Sequence, residues 1–420
     1  MIGHGIGGGC AIETHDISDE LKAAMVSRLR ELKALRTEPV ERAFLKVPRH
    51  KFTPGVPLDS AYDASQSVVV RRDADDAVVS TVSAPAIQAM MLEQAALRPG
   101  MRVLEIGSGG YNAALIAEMV GAEGAVVSID IDPVVVDRAR RFLDDTGYDT
   151  VRVLLGDAEN GVPGVFDRVI VTAGAWDIPP AWWNLLAENG RIVVPVRLRG
   201  MTRVVALEKT QGVLVDRGHA QAGFVAMQGA GAHEDAFVSL WGDEEAGLRI
   251  EGAIDVDPAA LAEALSQPRF PVWSGVTVTG EEPFDDLDLY LATHTDRFGT
   301  LVALRSAVEA KLVSRWALWG APACYSVHGL AYRVTRKVPD TGRFELGVFA
   351  HGGDAAVLGD QWVRLIRQWD RAHRHGPGAR ISVYPASTPV DRVTPGFALV
   401  RDHSRFVVSW PTRTEGERPG

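Results

Sequence analysis

Residues Val103-Leu104-Glu105-Ile106-Gly107-Ser108-Gly109-Gly110-Tyr111 carry an apolar strand through a glycine-rich turn into a helix. Glycines there let the backbone approach a ligand closely and adopt φ values that other residues resist. The next ninety residues keep the same rhythm. Apolar runs at 103–106, 125–129, 151–155, 168–172 and 191–196 alternate with helical patterns at 113–120 and 133–143. That alternation predicts βαβ units and a parallel sheet covered on both faces. Upstream, Ile17, Leu21, Met25, Leu29, Leu32 and Leu35 recur at three- and four-residue steps, which predicts a helical face with Ser18 as its N-cap. A short helix over 37–44 with Pro39 in its first turn, a loop over 47–76 and a helix over 83–96 with Pro85 near its start complete this half.

A chain of 420 residues is long enough for two domains. After about Gly223 the βα rhythm gives way to short strand-like pieces at 331–334, 344–349, 381–384 and 406–410, with helical patterns at 258–265, 301–308 and 360–374. The division expected is therefore a lead-in over 1–15, an α/β domain over 16–225 and a C-terminal α+β domain over 226–420. Trp316, Trp319, Trp362 and Trp369 could form a peptide platform, but the seven-residue spacing of Trp362 and Trp369 on a helix favours core. The net charge is −10 with acidic residues spread along the chain, so no nucleic-acid footprint is visible. Arg197, Arg199 and Arg203 read as a solvated strand edge. Two cysteines, Cys10 and Cys324, give neither a disulfide framework nor zinc spacing, and no metal is expected. No uninterrupted apolar stretch of about 18 residues occurs, and the expected location is cytoplasmic, without membrane contact.

The turn gains meaning from its neighbours. An adenosine at the mouth of such a sheet needs an acid at the end of the next strand for its ribose hydroxyls, and Asp130 stands there, with Asp132 as a substitute. The third strand ends in Gly156-Asp157, whose carboxylate either accepts from the adenine amino group or serves as a turn aspartate. A nicotinamide dinucleotide would fit the spacing, but the turn lacks the Gly-x-Gly-x-x-Gly order. Glu105 just before the glycines would repel a pyrophosphate and suit a cationic methionine amino group. S-adenosylmethionine is the cofactor expected.

Around this core stand Val47-Pro48-Arg49-His50-Lys51-Phe52, Ala61-Tyr62-Asp63, Thr81-Val82-Ser83-Ala84-Pro85, residues 166–175 and residues 189–196. In order and spacing they resemble the protein-L-isoaspartate O-methyltransferase family. The resemblance implies a Rossmann-like class I methyltransferase domain with an N-terminal helical segment. It implies cofactor contacts from Glu105, Gly107, Ser108, Gly109, Asp130 and Ile131, with Asp157 and Ala158 at the adenine. Ser83 would correspond to the serine beside the methyl donor and the substrate carboxylate, with Val82 and Ala84 as its backbone neighbours and His50 positioned on the substrate side. Ser83 also reads as the cap of the helix that Pro85 begins. The chain departs from the family in a turn one residue shorter, in Ala158 where the family has glycine, and in its length.

The whole chain, including residues 223–229 at the domain junction, resembles longer variants associated with lanthipeptides and related ribosomal peptide natural products. That implies a constrained ribosomal precursor peptide as substrate, an aspartate esterified on its side chain, and collapse to succinimide or isoaspartate. The alternatives are isoaspartate repair and a degenerate cofactor-binding scaffold. A carboxylate is already ionised at neutral pH, so no general base is expected, and His50 and His233 are at most positioning groups.

Overall fold

The computed structural model describes residues 10–252 and 254–411, without the side chains of residues 10–16. Residues 1–9 of the lead-in expected over 1–15 lie outside the described positions, and residues 10–15 belong to the first helix instead.

Strand Arg102–Ile106 lies in parallel between Ala125–Asp130 and Phe166–Val171, with Arg152–Leu155 beyond the former and Leu186–Leu198 beyond the latter. The chain winds first to one side of Arg102–Ile106 and then to the other, and the crevice at that reversal is where open α/β sheets bind ligands. Helix Tyr111–Val120 covers one face. Eight of its ten residues are buried, because Phe44, Phe52 and the helix Pro133–Asp145 pack over it and leave it no solvent side. Asp132 caps the latter helix by accepting from the Val134 N–H at 2.9 Å.

The strand and helix expectations for 83–196 hold within a few residues. Three others need correction. The first helix spans Cys10–Glu31, so Ser18 is a buried interior residue instead of its N-cap. The stretch 47–76 holds a 3₁₀ turn at Arg49–Phe52, a helical turn at Leu58–Ala61 and the strand Val68–Arg72, which pairs with Val78–Val82 as a hairpin. Residues 301–308 divide between strand Phe298–Ala303 and helix Arg305–Glu309, since an apolar run of that length suits either state.

The boundary expected at 225/226 divides the sequence but not the sheet. Antiparallel strands Met201–Thr210 and Val213–Gln221 extend the parallel core, and Arg380–Pro385, Ser404–Ser409 and Phe397–Val400 return from the far end of the chain to complete ten strands. Between them lies a seven-stranded antiparallel sheet over residues 236–352, packed against helix Ala355–Ala372, whose Trp362 and Trp369 are buried. One apolar cluster runs from Leu104 through Val205 and Leu289 to Val408, so the two halves share a core. The three arginines read as a solvated edge lie at this junction. Arg203 is fully buried and donates to Asp285 at 2.6 Å, Arg199 donates to the Thr295 carbonyl at 2.7 Å, and Arg197 pairs with Asp235. Among the described residues no helix is long and apolar enough to cross a membrane, and no cluster of side chains could hold a metal ion.

Candidate active site

Gly107 turns the chain out of strand Arg102–Ile106 with φ of +96°, and a Cβ built there would lie 2.3 Å from Thr172 Oγ1. Any other residue would push the first and fourth parallel strands apart, so this glycine is required by close approach as well as by φ. Thr172 Oγ1 donates to the carbonyls of Ile106 and Gly107 at 3.1 and 3.0 Å, fixing the turn from beneath. Gly110, at φ +79°, then opens the helix.

Asp130 ends the second strand with each carboxylate oxygen accepting one backbone N–H, from Ser108 at 2.8 Å and Asp132 at 2.9 Å. Two of its roughly four lone-pair positions remain for hydroxyl donors in the cleft. Burial raises its pKa, and the bond from Ser108 offsets part of that. Asp132, the substitute acid, is taken up by capping its helix and by an ion pair with Arg71. That pair latches the hairpin 68–82 over the cleft, and Val79, Ser80 and Thr81 of the hairpin form one wall.

The cleft is floored by Ile106, Ile129, Ile131, Ala158 and Trp182. Gly107, Ser108, Gly109, Asp130 and Asp157 also line it, so the structure brings these expected positions together. Glu105 is different. Alternation along the strand turns it to the opposite face from Ile106, where it is fully buried. It accepts from Asn112 Nδ2 at 2.9 Å and Ser128 Oγ at 2.5 Å, and burial pushes its carboxyl up to about 7. It braces the turn and the second strand from below and does not line the cleft, which corrects its expected meeting there with a methionine amino group.

Asp157 is also shared. Its Oδ1 accepts from Glu159 N and its Oδ2 from Ala230 N, both at 2.9 Å. Residues 225–231 therefore cross the cofactor cleft as a strap, tied to the loop after the fourth strand by Gly174 N to Val225 O at 2.8 Å and Met227 N to Gly174 O at 3.0 Å. Val225, Ala226, Met227 and Gln228 face the cleft.

Ser83 lies in an adjoining cleft with Ser65, Ser67, Ala84 and Ile87, and the two clefts share Thr81, Thr172 and Val225. Ala84, not Ser83, is the N-cap of helix Pro85–Ala95 and makes no side-chain cap bond, so the hydroxyl of Ser83 is not spent on the helix. The Ser83 carbonyl accepts from Arg49 Nη2 at 2.9 Å. Arg49 is wholly buried, donates also to Ala61 O and Gln88 Oε1, and lies 5.0 Å from the centre of the Tyr111 ring. It is the reason residues 47–52 stand beside 81–85. Val82 is packed in the hairpin and His50 binds the Tyr62 hydroxyl through Nδ1 at 2.8 Å. Neither lines the two clefts, so their expected substrate contacts are corrected to supporting positions. Thr81, Thr172, Trp182 and 225–228 escape sequence reasoning as site residues: all but Trp182 fall in segments that carry the resemblance, but none has a role there, and they meet only through the topology.

The model for protein-L-isoaspartate(D-aspartate) O-methyltransferases matches residues 20–231. This chain belongs to that family. The protein-L-isoaspartate O-methyltransferase of Methanopyrus kandleri is 40% identical over 210 residues, covering 49% of this chain and 90% of its own length. That of Hyperthermus butylicus is 37% identical over 203 residues, covering 46% of this chain and 81% of its own. A solved protein-L-isoaspartate O-methyltransferase, 21% identical, superposes over 86% of this chain and 96% of its own with a TM-score of 0.47. The chain is thus a class I, S-adenosylmethionine-dependent carboxyl O-methyltransferase. The residues fit that cofactor: Asp130 keeps acceptor capacity for the ribose, and the apolar floor suits a purine.

Proposed function

We propose that this methyltransferase esterifies the free carboxylate of an isoaspartyl residue in a peptide or protein. The observation that carries this reading is the Ser83 hydroxyl, uncommitted to the helix, in a cleft that meets the cofactor cleft at Thr81, Thr172 and Val225. When bound, S-adenosylmethionine supplies the methyl group and a thioether leaving group. The chain's own part is placement. Ser83 donates a hydrogen bond that orients the carboxylate, Arg49 holds the Ser83 backbone, and the hairpin and strap exclude water. The acceptor carboxylate, with an ordinary pKa near 4, is ionised at neutral pH, so no residue has to remove a proton.

A second reading keeps the same chemistry on an ordinary aspartate of a constrained ribosomal precursor peptide. A backbone amide nitrogen would then attack the ester, methanol would leave, and the succinimide would open to isoaspartate. This reading comes from the resemblance of the whole chain, residues 223–229 included, to the longer peptide-tailoring variants, and residues 225–228 of that segment line the cofactor cleft. Incubating the protein and S-adenosylmethionine with an isoaspartyl peptide and a matched constrained aspartyl peptide, with mass detection, separates the two. Methyl gain on the isoaspartyl peptide alone supports the first reading, and methyl gain followed by methanol loss on the aspartyl peptide alone overturns it in favour of the second. Ser83→Ala is expected to lower kcat/KM by roughly tenfold to a hundredfold, the range for one hydrogen bond to a charged group.

A further inference from the structure

The substrate cleft does not end at Ser83. Through Ser65, Ala84 and Ile87 it opens into a groove between the N-terminal helical segment and strand Val213–Gln221. At Gly218 and His219 the groove meets a smaller hollow beside strand Arg380–Pro385, so it leads from the transfer site to the part of the sheet supplied by the far end of the chain. Its floor is apolar at Ile87 and Met90, and its lining charges are unbalanced: Lys33, Arg36, Arg191 and Arg217 against Glu93. Glu93 Oε1 accepts from the backbone N–H groups of Arg36 and Thr37 at 2.7 Å each, and its single charge is outnumbered by the four cations. Arg191 and Arg217 share one carboxylate, Glu208, at 3.0 and 2.7 Å, which leaves that trio with a net positive charge. Lys33 and Arg36 are exposed and, among the described residues, pair with no carboxylate. In a chain of net charge −10 this is a local reversal of sign within the groove, and it ends where Asp216, Asp285 and Asp286 line the hollow beyond His219.

We propose that this groove holds the segment of the substrate peptide flanking the methylated residue, and that it selects flanks bearing aspartate or glutamate. The inference rests on the peptide reading of the active site. Apolar contact with Ile87 and Met90 seats the backbone, while Lys33 and Arg36 read the charge of the flank.

The test uses the full chain and fluorescently labelled peptides of one core sequence with acidic, neutral or basic flanks. Binding is followed by anisotropy on versions with asparagine at the acceptor position, and methyl transfer is followed separately on the isoaspartyl and aspartyl versions. The acidic-flanked peptide should bind about tenfold more tightly than the basic one, as two exposed ion pairs allow. That ratio should shrink in high salt. Lys33→Glu combined with Arg36→Glu should invert the order, a reversal that loss of folding cannot produce. Equal binding of all three flanks, or a uniform change in the double variant, would overturn the groove assignment. Flank-dependent binding without methyl transfer to either acceptor would support the groove and count against the peptide-methylation reading.

Discussion

Glu105 shows how far one residue's role can be read from its position. Its place before the glycines marks it as part of the cofactor region, and family resemblance gives it a ligand. Yet a strand covered on both faces offers no hydrophobic alternation to tell which face meets the ligand. The structure turns it away from the cleft, into a site where Asn112 and Ser128 are its hydrogen-bond donors. Burial lifts its carboxyl from 4.5 to about 7. The folded chain therefore binds more protons at this site than the unfolded chain between those values, and stability falls as pH rises through that window. In wild type relative to Glu105→Gln, the loss between pH 5 and pH 8 should be on the order of 3 kcal/mol. Urea denaturation of both proteins without cofactor checks this. Parallel stability curves across that range would mean that the carboxyl is not held protonated in the folded state. The position of Asp130, by contrast, is readable from sequence, because the end of the second parallel strand lies at the mouth of the crevice, and the structure places it in the cleft.

At the scale of elements, the parallel strands and their helices are readable because period and punctuation agree along 83–196, while the strap is not. Nothing local in Val225-Ala226-Met227-Gln228-Gly229 announces a binding wall. Its place depends on Gly174 and Asp157, which are more than fifty residues earlier. Asp157 reads from sequence as an adenine or turn residue, and the bond to Ala230 adds a third role that only the fold reveals. Gly229 makes the strap testable. It has φ of +75°, and a Cβ there would sit 2.4 Å from Asp157 Oδ2 and 2.7 Å from Ile131 Cδ1. Gly229→Val must lift the strap from Asp157, removing the wall made by Met227 and Gln228. Calorimetric titration with S-adenosylhomocysteine should show affinity weakened by about tenfold, the effect of losing one or two contacts worth about 1 kcal/mol each. Unchanged affinity would mean that the strap is not part of the cofactor's enclosure.

The whole molecule is where composition and pattern say least. A change of texture near Gly223 marks the end of the βα repeat, and reading it as a domain boundary assumes that sequence neighbours stay spatial neighbours. The return of strands Arg380–Pro385, Phe397–Val400 and Ser404–Ser409 to the first sheet breaks that assumption, for antiparallel edge pairing has no signature in the partner strand. The M. kandleri relative, aligned over 90% of its length with half of this chain, has no counterpart to most of the chain beyond residue 231. In this chain the residues beyond 231 share the core of the sheet. Val205, Leu207 and Leu214 share their cluster with Leu287, Leu289, Ile381 and Phe406, and Arg401 ties Glu251 at 2.7 Å to the Trp176 ring, 3.9 Å away. A chain ending at residue 231 would expose that shared core and the edge of Val213–Gln221 at Leu214 and Val215, where Arg380–Pro385 pairs with it, leaving an open strand of the kind that aggregates. Despite containing the full family match, it should form no soluble monomer with a cooperative thermal transition, as judged by size-exclusion chromatography and circular dichroism. A monomer melting within a few degrees of the full chain would show that the ten-stranded sheet is an assembly of independent parts. The C-terminal half would then be free to act on its own, and its contribution to substrate choice would have to be sought away from the sheet edge.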